Sequence, residues 1–267
     1  LLEAYSLEPR KSLGQNFLHD PNVLEKVVAS ADVTADTTVL EIGAGTGALT
    51  EVLAAHAGRV ITLELDRRME PLLLDRLGIY DNVEIVFADV LKTDIVTLVG
   101  DEDYVVVANV PYYITSAILR HLLEAEKRPL CVVMTVQLEV AERIIAKPGA
   151  MSVLAVSVQY YTRPKIVMRL NPAVFYPRPD VTSAVIRLDT HPVPPVHVPD
   201  EASFFAVVRA GFSQKRKQLK NTLAAGLRLS NERVATLLDR AGIDPRRRAE
   251  TLSLEEWAAV TRAYVDG

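Results

Sequence analysis

A chain of 267 residues, 49% hydrophobic and 24% charged, has globular composition and room for one large domain with a small companion. That composition excludes whole-chain disorder and collagen-like structure, and no apolar run approaches the roughly 18 residues of a membrane helix. The charged residues Glu3, Glu8, Arg10 and Lys11 break any early apolar stretch, so no signal peptide is expected. A single cysteine, Cys131, precludes an internal disulfide, and the expected location is cytoplasmic. The net charge of −4 speaks in bulk against a nucleic-acid partner, but it averages two unlike regions. Residues 201–267 hold 12 Lys/Arg against 8 Asp/Glu, whereas the remainder holds 18 against 26.

In chain order, strands are predicted at 37–43, 59–65, 83–88, 104–109 and 130–136, several of them continuous apolar runs of the kind covered on both faces. Helical patterns fall between and after them at 47–57, 67–77, 114–126 and 138–146. Such alternation predicts a doubly wound α/β domain with a parallel sheet. Two β-rich runs, 153–170 and 181–188, have no clear helix between them and are expected to pair antiparallel at one edge. Prolines 192, 194, 195 and 199 then remove donors and fix φ, which predicts an extended linker. Beyond it, 201–213, 215–228, 231–241 and 253–264 read as short helices. The expected domains are therefore 1–190 and 201–267, joined by a linker at 191–200.

The first strand runs into Gly43-Ala-Gly45-Thr-Gly47, a strand-to-helix turn where backbone can approach a ligand with a helix N-terminus behind it. Glu64 ends the next strand, at an interval that suits the hydroxyls of a ribose. Gly43 to Ala48 also satisfies G-x-G-x-x-G/A, so a nicotinamide or flavin site competes at this point. Asp89, at the third strand end, is placed either to accept from the exocyclic amine of an adenine or to cap the following helix.

Asn109-Val-Pro111-Tyr112 decides between these ligands. It fits a [D/N/S]-P-P-[Y/F]-like pattern used to methylate planar amino nitrogens, whose lone pair is delocalised into the ring. Acceptors at both amine hydrogens, the Asn109 side-chain oxygen and a backbone carbonyl near Val110–Pro111, help the nitrogen become pyramidal. Tyr112 then stacks on the base and aligns it with the departing methyl group. Nicotinamide chemistry leaves these residues without a role.

With these residues in place, the chain resembles the ribosomal RNA adenine N6,N6-dimethyltransferase family, in its bacterial small-subunit branch, over nearly its whole length. The resemblance rests on Lys11-Ser-Leu-Gly-Gln-Asn16-Phe-Leu18, on Glu41 to Thr50, on Asn109 to Tyr112, on Gln137 to Arg143, on Phe175 to Ser183 and on Phe212-Ser-Gln-Lys-Arg216-Lys217-Gln-Leu-Lys220-Asn221. It departs from the family pattern at Ala44, often Pro, and at Val110, often Leu. The resemblance implies a class I, Rossmann-like methyltransferase domain with a mainly parallel seven-stranded sheet, and a small C-terminal all-α domain. It also implies S-adenosyl-L-methionine as donor and S-adenosyl-L-homocysteine as product, with no metal. Cofactor contacts then fall on Asn16, Leu18, Gly43, Glu64, Asp89 and Asn109, catalysis on Asn109, Pro111 and Tyr112, and a second stacking wall on Phe175, with an ordinary core aromatic as the alternative there. The implied substrate is two adjacent adenosines near the 3′ end of 16S rRNA, in the small ribosomal subunit or its precursor; a monomer is expected, since a protein contacting so large a ribonucleoprotein needs no partner subunit.

Lys215, Arg216, Lys217 and Lys220 form one basic cluster and Arg246, Arg247 and Arg248 another, and both are candidates for rRNA phosphates. Two other roles remain open at this level. One is an assembly factor for immature small subunits with methylation secondary. The other is a large-subunit rRNA methyltransferase of the macrolide-resistance type, against which the 212–221 stretch argues.

Overall fold

The chain's first helix starts on a local signal that the sequence reading passed over. After strand β1 (Phe17–Leu18), the Asp20 carboxylate accepts from the Asn22 and Val23 amides, and Pro21 occupies the first turn, where no donor is needed. Helix α1 (Pro21–Ala29) then buries Leu24, Val27 and Val28, spaced as one helical face. The structure is a computed structural model that describes residues 2–10 and 13–267. Lys11 and Ser12, which open the N-terminal motif, lie outside the described residues.

The apolar runs form strands alternating with helices: β2 (Thr38–Ile42), α2 (Ala48–His56), β3 (Arg59–Glu64), α3 (Glu70–Leu77), β4 (Val83–Phe87), α4 (Ile95–Val99), β5 (Tyr104–Asn109), α5 (Thr115–Leu123), β6 (Cys131–Gln137) and α6 (Leu138–Ile144). The remaining elements are α7 (Val153–Tyr161), β7 (Thr162–Leu170), β8 (Phe175–Tyr176), β9 (Ser183–Thr190), α8 (Glu201–Gly211), α9 (Leu219–Leu227), α10 (Asn231–Arg240) and α11 (Leu254–Val265). Seven strands form one sheet in the order β4-β3-β2-β5-β6-β9-β7. The first five are parallel, and β9 runs antiparallel to β6. This is the mainly parallel, seven-stranded, Rossmann-like sheet expected from the sequence, with a helical C-terminal region. Val39, Leu40, Val106, Val107, Val132 and Val133 are fully buried in its centre, each stabilising the fold by about 1.5–3 kcal/mol.

The chain forms two units, one of residues up to Ala141 with Pro164–Thr190, the other of Glu142–Arg163 with His191–Gly267. In the first, β1 pairs antiparallel with β8, Phe17 opposite Tyr176 and Leu18 opposite Phe175. The N-terminal segment also contributes Leu7 and Phe17 to a core cluster with Ala44 of the glycine loop and Met69, Leu72, Leu73 and Leu77. Asn16 is thus anchored beside the C-terminal ends of the parallel strands.

The run 153–170 is not one β segment. Its first half is α7, capped by the Ser152 side chain on the Ala155 amide, and only Thr162–Leu170 is strand, next to β9 at the sheet edge. A short run of Val and Tyr without periodicity carries no helix signal of its own; burial decides it. In the second unit Tyr160 stacks on Phe204 at 4.8 Å, and Tyr161 lies 5.7 Å from Phe205. Helix α8 packs on α9 and α11 around Trp257. The proline-rich stretch 191–200 has no helix or strand, yet Val196 is buried and the His197 carbonyl accepts from Arg262 at 2.6 Å.

Candidate functional site

In an open α/β sheet, ligands bind beyond the carboxyl ends of the strands. Such a cavity lies there in the first unit, open to solvent at its mouth and lined along the ends of four strands. Asn16, Leu18, Gly43, Glu64, Asp89 and Asn109 all line it, together with Pro111 and Tyr112. Strand register does this: Ile42, Leu63 and Ala108 stand level across β2, β3 and β5, so the residues following them reach one edge together.

The glycine turn leaves β2 with Gly43 at φ +86° and Gly45 at φ +55°, a left-handed region that costs other residues about 1–2 kcal/mol. A Cβ at Gly43 would stand 3.3 Å from the Asn109 carbonyl oxygen, and one at Gly45 3.0 Å from the Phe17 ring. Glu64, 7% exposed, accepts from the Gly45 amide at 2.8 Å and the Asp66 amide at 2.7 Å. Burial raises its carboxyl above the ordinary value, and those two amides oppose the rise. Asp89 caps the following turn, one oxygen accepting from the Leu91 amide at 3.1 Å, and the residue also lines the cavity.

The N-terminal segment reaches the same place. Asn109 donates from Nδ2 to the Asn16 carbonyl at 3.2 Å, and Asn16 donates from Nδ2 to the Gly14 carbonyl at 3.1 Å. The first bond orients the Asn109 amide, and Oδ1 accepts no hydrogen bond among the described residues. Gln15 donates to Asp66 at 3.2 Å and accepts from the Arg10 amide at 2.8 Å, clasping the segment to the end of β3. Pro111 has no amide hydrogen to extend the ladder of β5, and its carbonyl accepts from Ile114 at 3.2 Å.

The sequence reading missed several cavity residues. Leu65 and Val90 form apolar walls directly after the acidic strand ends Glu64 and Asp89, and that adjacency was a usable signal. Glu41, 0% exposed, lies beneath the loop on β2. Its Oε2 accepts from Thr50 and Thr62, each at 2.6 Å, while its Oε1 has no partner among the described residues. Burial pushes its carboxyl up to about 7, outweighing the two hydroxyls that favour the ion.

Phe175 is a correction. It is 3% exposed, paired with Leu18 in the β1–β8 ribbon and packed in the core with Leu24, Val27 and Val28, so its ring is not in the cavity wall. A second correction concerns the basic run in the other unit. Arg247 is half-buried and holds Glu256 and Thr251, with a bond of 2.9 Å to Glu256 and 2.7 Å to the Thr251 carbonyl, so it is committed to the fold. Arg246 grips Asp244 at 3.0 Å, and Arg248 lies 3.7 Å from Glu250. Lys215, Arg216 and Lys217 are exposed in the α8–α9 loop, and Lys220 lies in the first turn of α9. The turn at 245–247 caps that helix: the Leu219 amide donates to Arg247 (2.7 Å) and the Lys220 amide to Pro245 (3.2 Å). Two clusters well separated in sequence therefore adjoin.

A family model described as Ribosomal RNA adenine dimethylase matches residues 7–266. Two curated relatives carry the name Ribosomal RNA small subunit methyltransferase A. The one from Geobacillus thermodenitrificans is 47% identical over 99% of this chain and 94% of its own length. The one from Dehalococcoides mccartyi is 44% identical over 100% and 92%. Among solved structures, a dimethyladenosine transferase from Plasmodium falciparum aligns with TM-score 0.77 and 25% identity, over 94% of this chain and 98% of its own. The 23S rRNA methyltransferase ErmE aligns with TM-score 0.73 and 28% identity, over 92% and 98%. Likeness of this extent, from residue 7 to residue 266, is that of kin rather than of fold alone: the chain belongs to the ribosomal RNA adenine dimethylase family.

Proposed function

We propose that the protein uses S-adenosyl-L-methionine to dimethylate the N6 amino groups of two adjacent adenosines near the 3′ end of 16S rRNA. It acts as a cytoplasmic monomer during small-subunit biogenesis. The observation that carries this is the convergence of the Asn109 amide with Gly43, Glu64 and Asp89 at one cavity. The choice of subunit rests on the relatives, since those at 44–47% identity are named for the small subunit and the 23S enzyme stands at 28%.

The residues present fit that cofactor. Gly43 and Gly45 leave a cradle that a Cβ would fill, and the acidic strand ends suit successive parts of an adenosine. Glu64 keeps lone pairs for ribose hydroxyls beyond the two backbone amides it already accepts. Asp89 accepts from the adenine amine, with Leu65 and Val90 as the apolar walls of the ring. Asn16 and Leu18 close the cavity from the N-terminal segment. When bound, S-adenosyl-L-methionine supplies a methyl group on a positively charged sulfur that departs as a neutral thioether, so the leaving group needs no acid.

The target adenine lies against Tyr112, with one amine hydrogen on Asn109 Oδ1 and the other on a backbone carbonyl of Val110–Pro111. These acceptors localise the lone pair towards the methyl group, and Tyr112 holds the ring in line. Neither acceptor takes a proton, so the nitrogen releases its proton to solvent. Lys215, Arg216, Lys217 and Lys220, flanked by Arg246 and Arg248, engage rRNA phosphates, which position the substrate while its folded shape supplies selectivity.

The test is methyl transfer from labelled cofactor to purified small subunits lacking the modification, with primer extension to map it. Two methyl groups on each of two neighbouring adenosines are expected. No transfer, or transfer to large subunits instead, overturns the reading.

A further inference from the structure

Tyr112 is held from an unexpected direction. Its phenol oxygen lies 2.5 Å from Ser183 Oγ, although Tyr112 follows β5 and Ser183 opens β9, with β6 between those strands. Ser183 is opposite Gln137 in register and is 0% exposed, so its hydroxyl is shut off from solvent. Two other buried hydroxyls, Thr115 on α5 and Thr135 on β6, have no hydrogen-bond partner among the described residues, whereas Ser183 has taken the phenol. Burial also raises the Tyr112 phenol above its ordinary value, with the Ser183 bond opposing the rise, so it stays a neutral hydroxyl able to share this bond.

We infer that Ser183 is a positioning residue for the methyl transfer: by holding the phenol oxygen it fixes the direction in which the Tyr112 ring points, and so where the target adenine stacks. This rests on the function proposed above and adds a residue to it. The two halves of the motif are then tied from opposite sides. The amide of Asn109 is oriented by the Asn16 carbonyl, and the ring of Tyr112 by β9. A ring free to turn about its side-chain torsions would still offer an apolar surface, but not one registered to the Asn109 oxygen. Misplacement of that kind lowers the rate of transfer more than the affinity for either substrate.

A double-mutant cycle of Ser183→Ala and Tyr112→Phe tests this on the full chain, with unmethylated small subunits and labelled cofactor. Each single variant breaks the same bond while keeping the ring. Each is expected to lower kcat about tenfold, the size of one well-placed hydrogen bond, with KM for the subunit and cofactor affinity within about twofold of the parent. The double variant is expected to be no worse than either single one. A kcat for Ser183→Ala equal to the parent's, or losses that multiply in the double variant, overturns the assignment. If Ser183→Ala fails to fold, Tyr112→Phe decides alone, and a parental kcat there overturns it. A parent protein that transfers no methyl groups sinks the proposed function instead, so the two failures are distinguishable.

Discussion

The cavity at the strand ends and the basic turn of the helical unit were both expected to be functional, and they are built in opposite ways. At the cavity, register brings residues from four strand ends to one edge, and the groups that matter keep acceptor capacity. Asn109 has its Oδ1 unengaged among the described residues, and Glu64 accepts only backbone amides. At the basic turn, each arginine of the 246–248 run has an acidic neighbour, and Arg247 is locked to Glu256. Density of like residues in sequence is therefore a poorer guide than position at the end of a parallel strand. A strand end leaves a side chain facing the ligand space, whereas clustered charges recruit partners from their own fold.

The largest effect that would break this comparison is at Asn109. Replacing it with Ala removes the acceptor and the tie to Asn16, and kcat is expected to fall about 10²–10³-fold in methyl-transfer assays. Cofactor affinity measured by calorimetry is expected to fall far less. A near-parental rate would mean that the strand-end geometry does not carry the chemistry.

The second effect tests the buried support beneath the cavity. Glu41 has its folded pKa pushed up to about 7 from 4.5, chiefly by burial, with Glu64 the like charge facing it. Its stabilising contribution is therefore fully present below about pH 4.5 and is lost as pH rises through 7. By the usual 1.36 kcal/mol per unit, this is on the order of 3 kcal/mol. Denaturant melts at pH 5 and pH 8 should show the parent losing stability relative to Glu41→Gln, which has no charge to bury. Parallel pH profiles for the two proteins would refute it.

Third, Glu64→Ala should weaken S-adenosyl-L-methionine binding about 10–100-fold by removing a charged acceptor, with rRNA affinity unchanged. Smallest is the effect that separates free from committed charge in the basic unit. Replacing Lys215, Lys217 and Lys220 together with Ala should reduce the salt slope of RNA binding by about 2, given roughly 0.7–0.9 per phosphate contact. Arg247→Ala should leave that slope unchanged and lower the melting temperature instead. A slope that falls with Arg247 would erase the contrast between the two regions.

Much of the α/β domain was legible because its determinants are local. Continuous valine runs, the glycine turn, the acids at strand ends and Asn109-Val-Pro-Tyr112 each carry their chemistry in a few adjacent residues. The parallel strands and the helical C-terminal region follow from such signals, as does the arrival of Gly43, Glu64, Asp89 and Asn109 at one cavity, whereas Asn16 and Leu18 were expected there only through the family resemblance. Tertiary structure decided the rest, wherever burial or pairing overrides local pattern. It made Val153–Tyr161 a helix, since a short apolar run suits either helix or strand until packing chooses. It drew Phe175 into the core through its pairing with Leu18, took Arg247 out of the basic face and anchored Tyr112 on Ser183 across an intervening strand. The sequence by itself determined which chemistry the chain carries, because reacting groups must be of given types in a given order. Which of those groups stay available was decided only in three dimensions, where each competes for partners that lie far away along the chain.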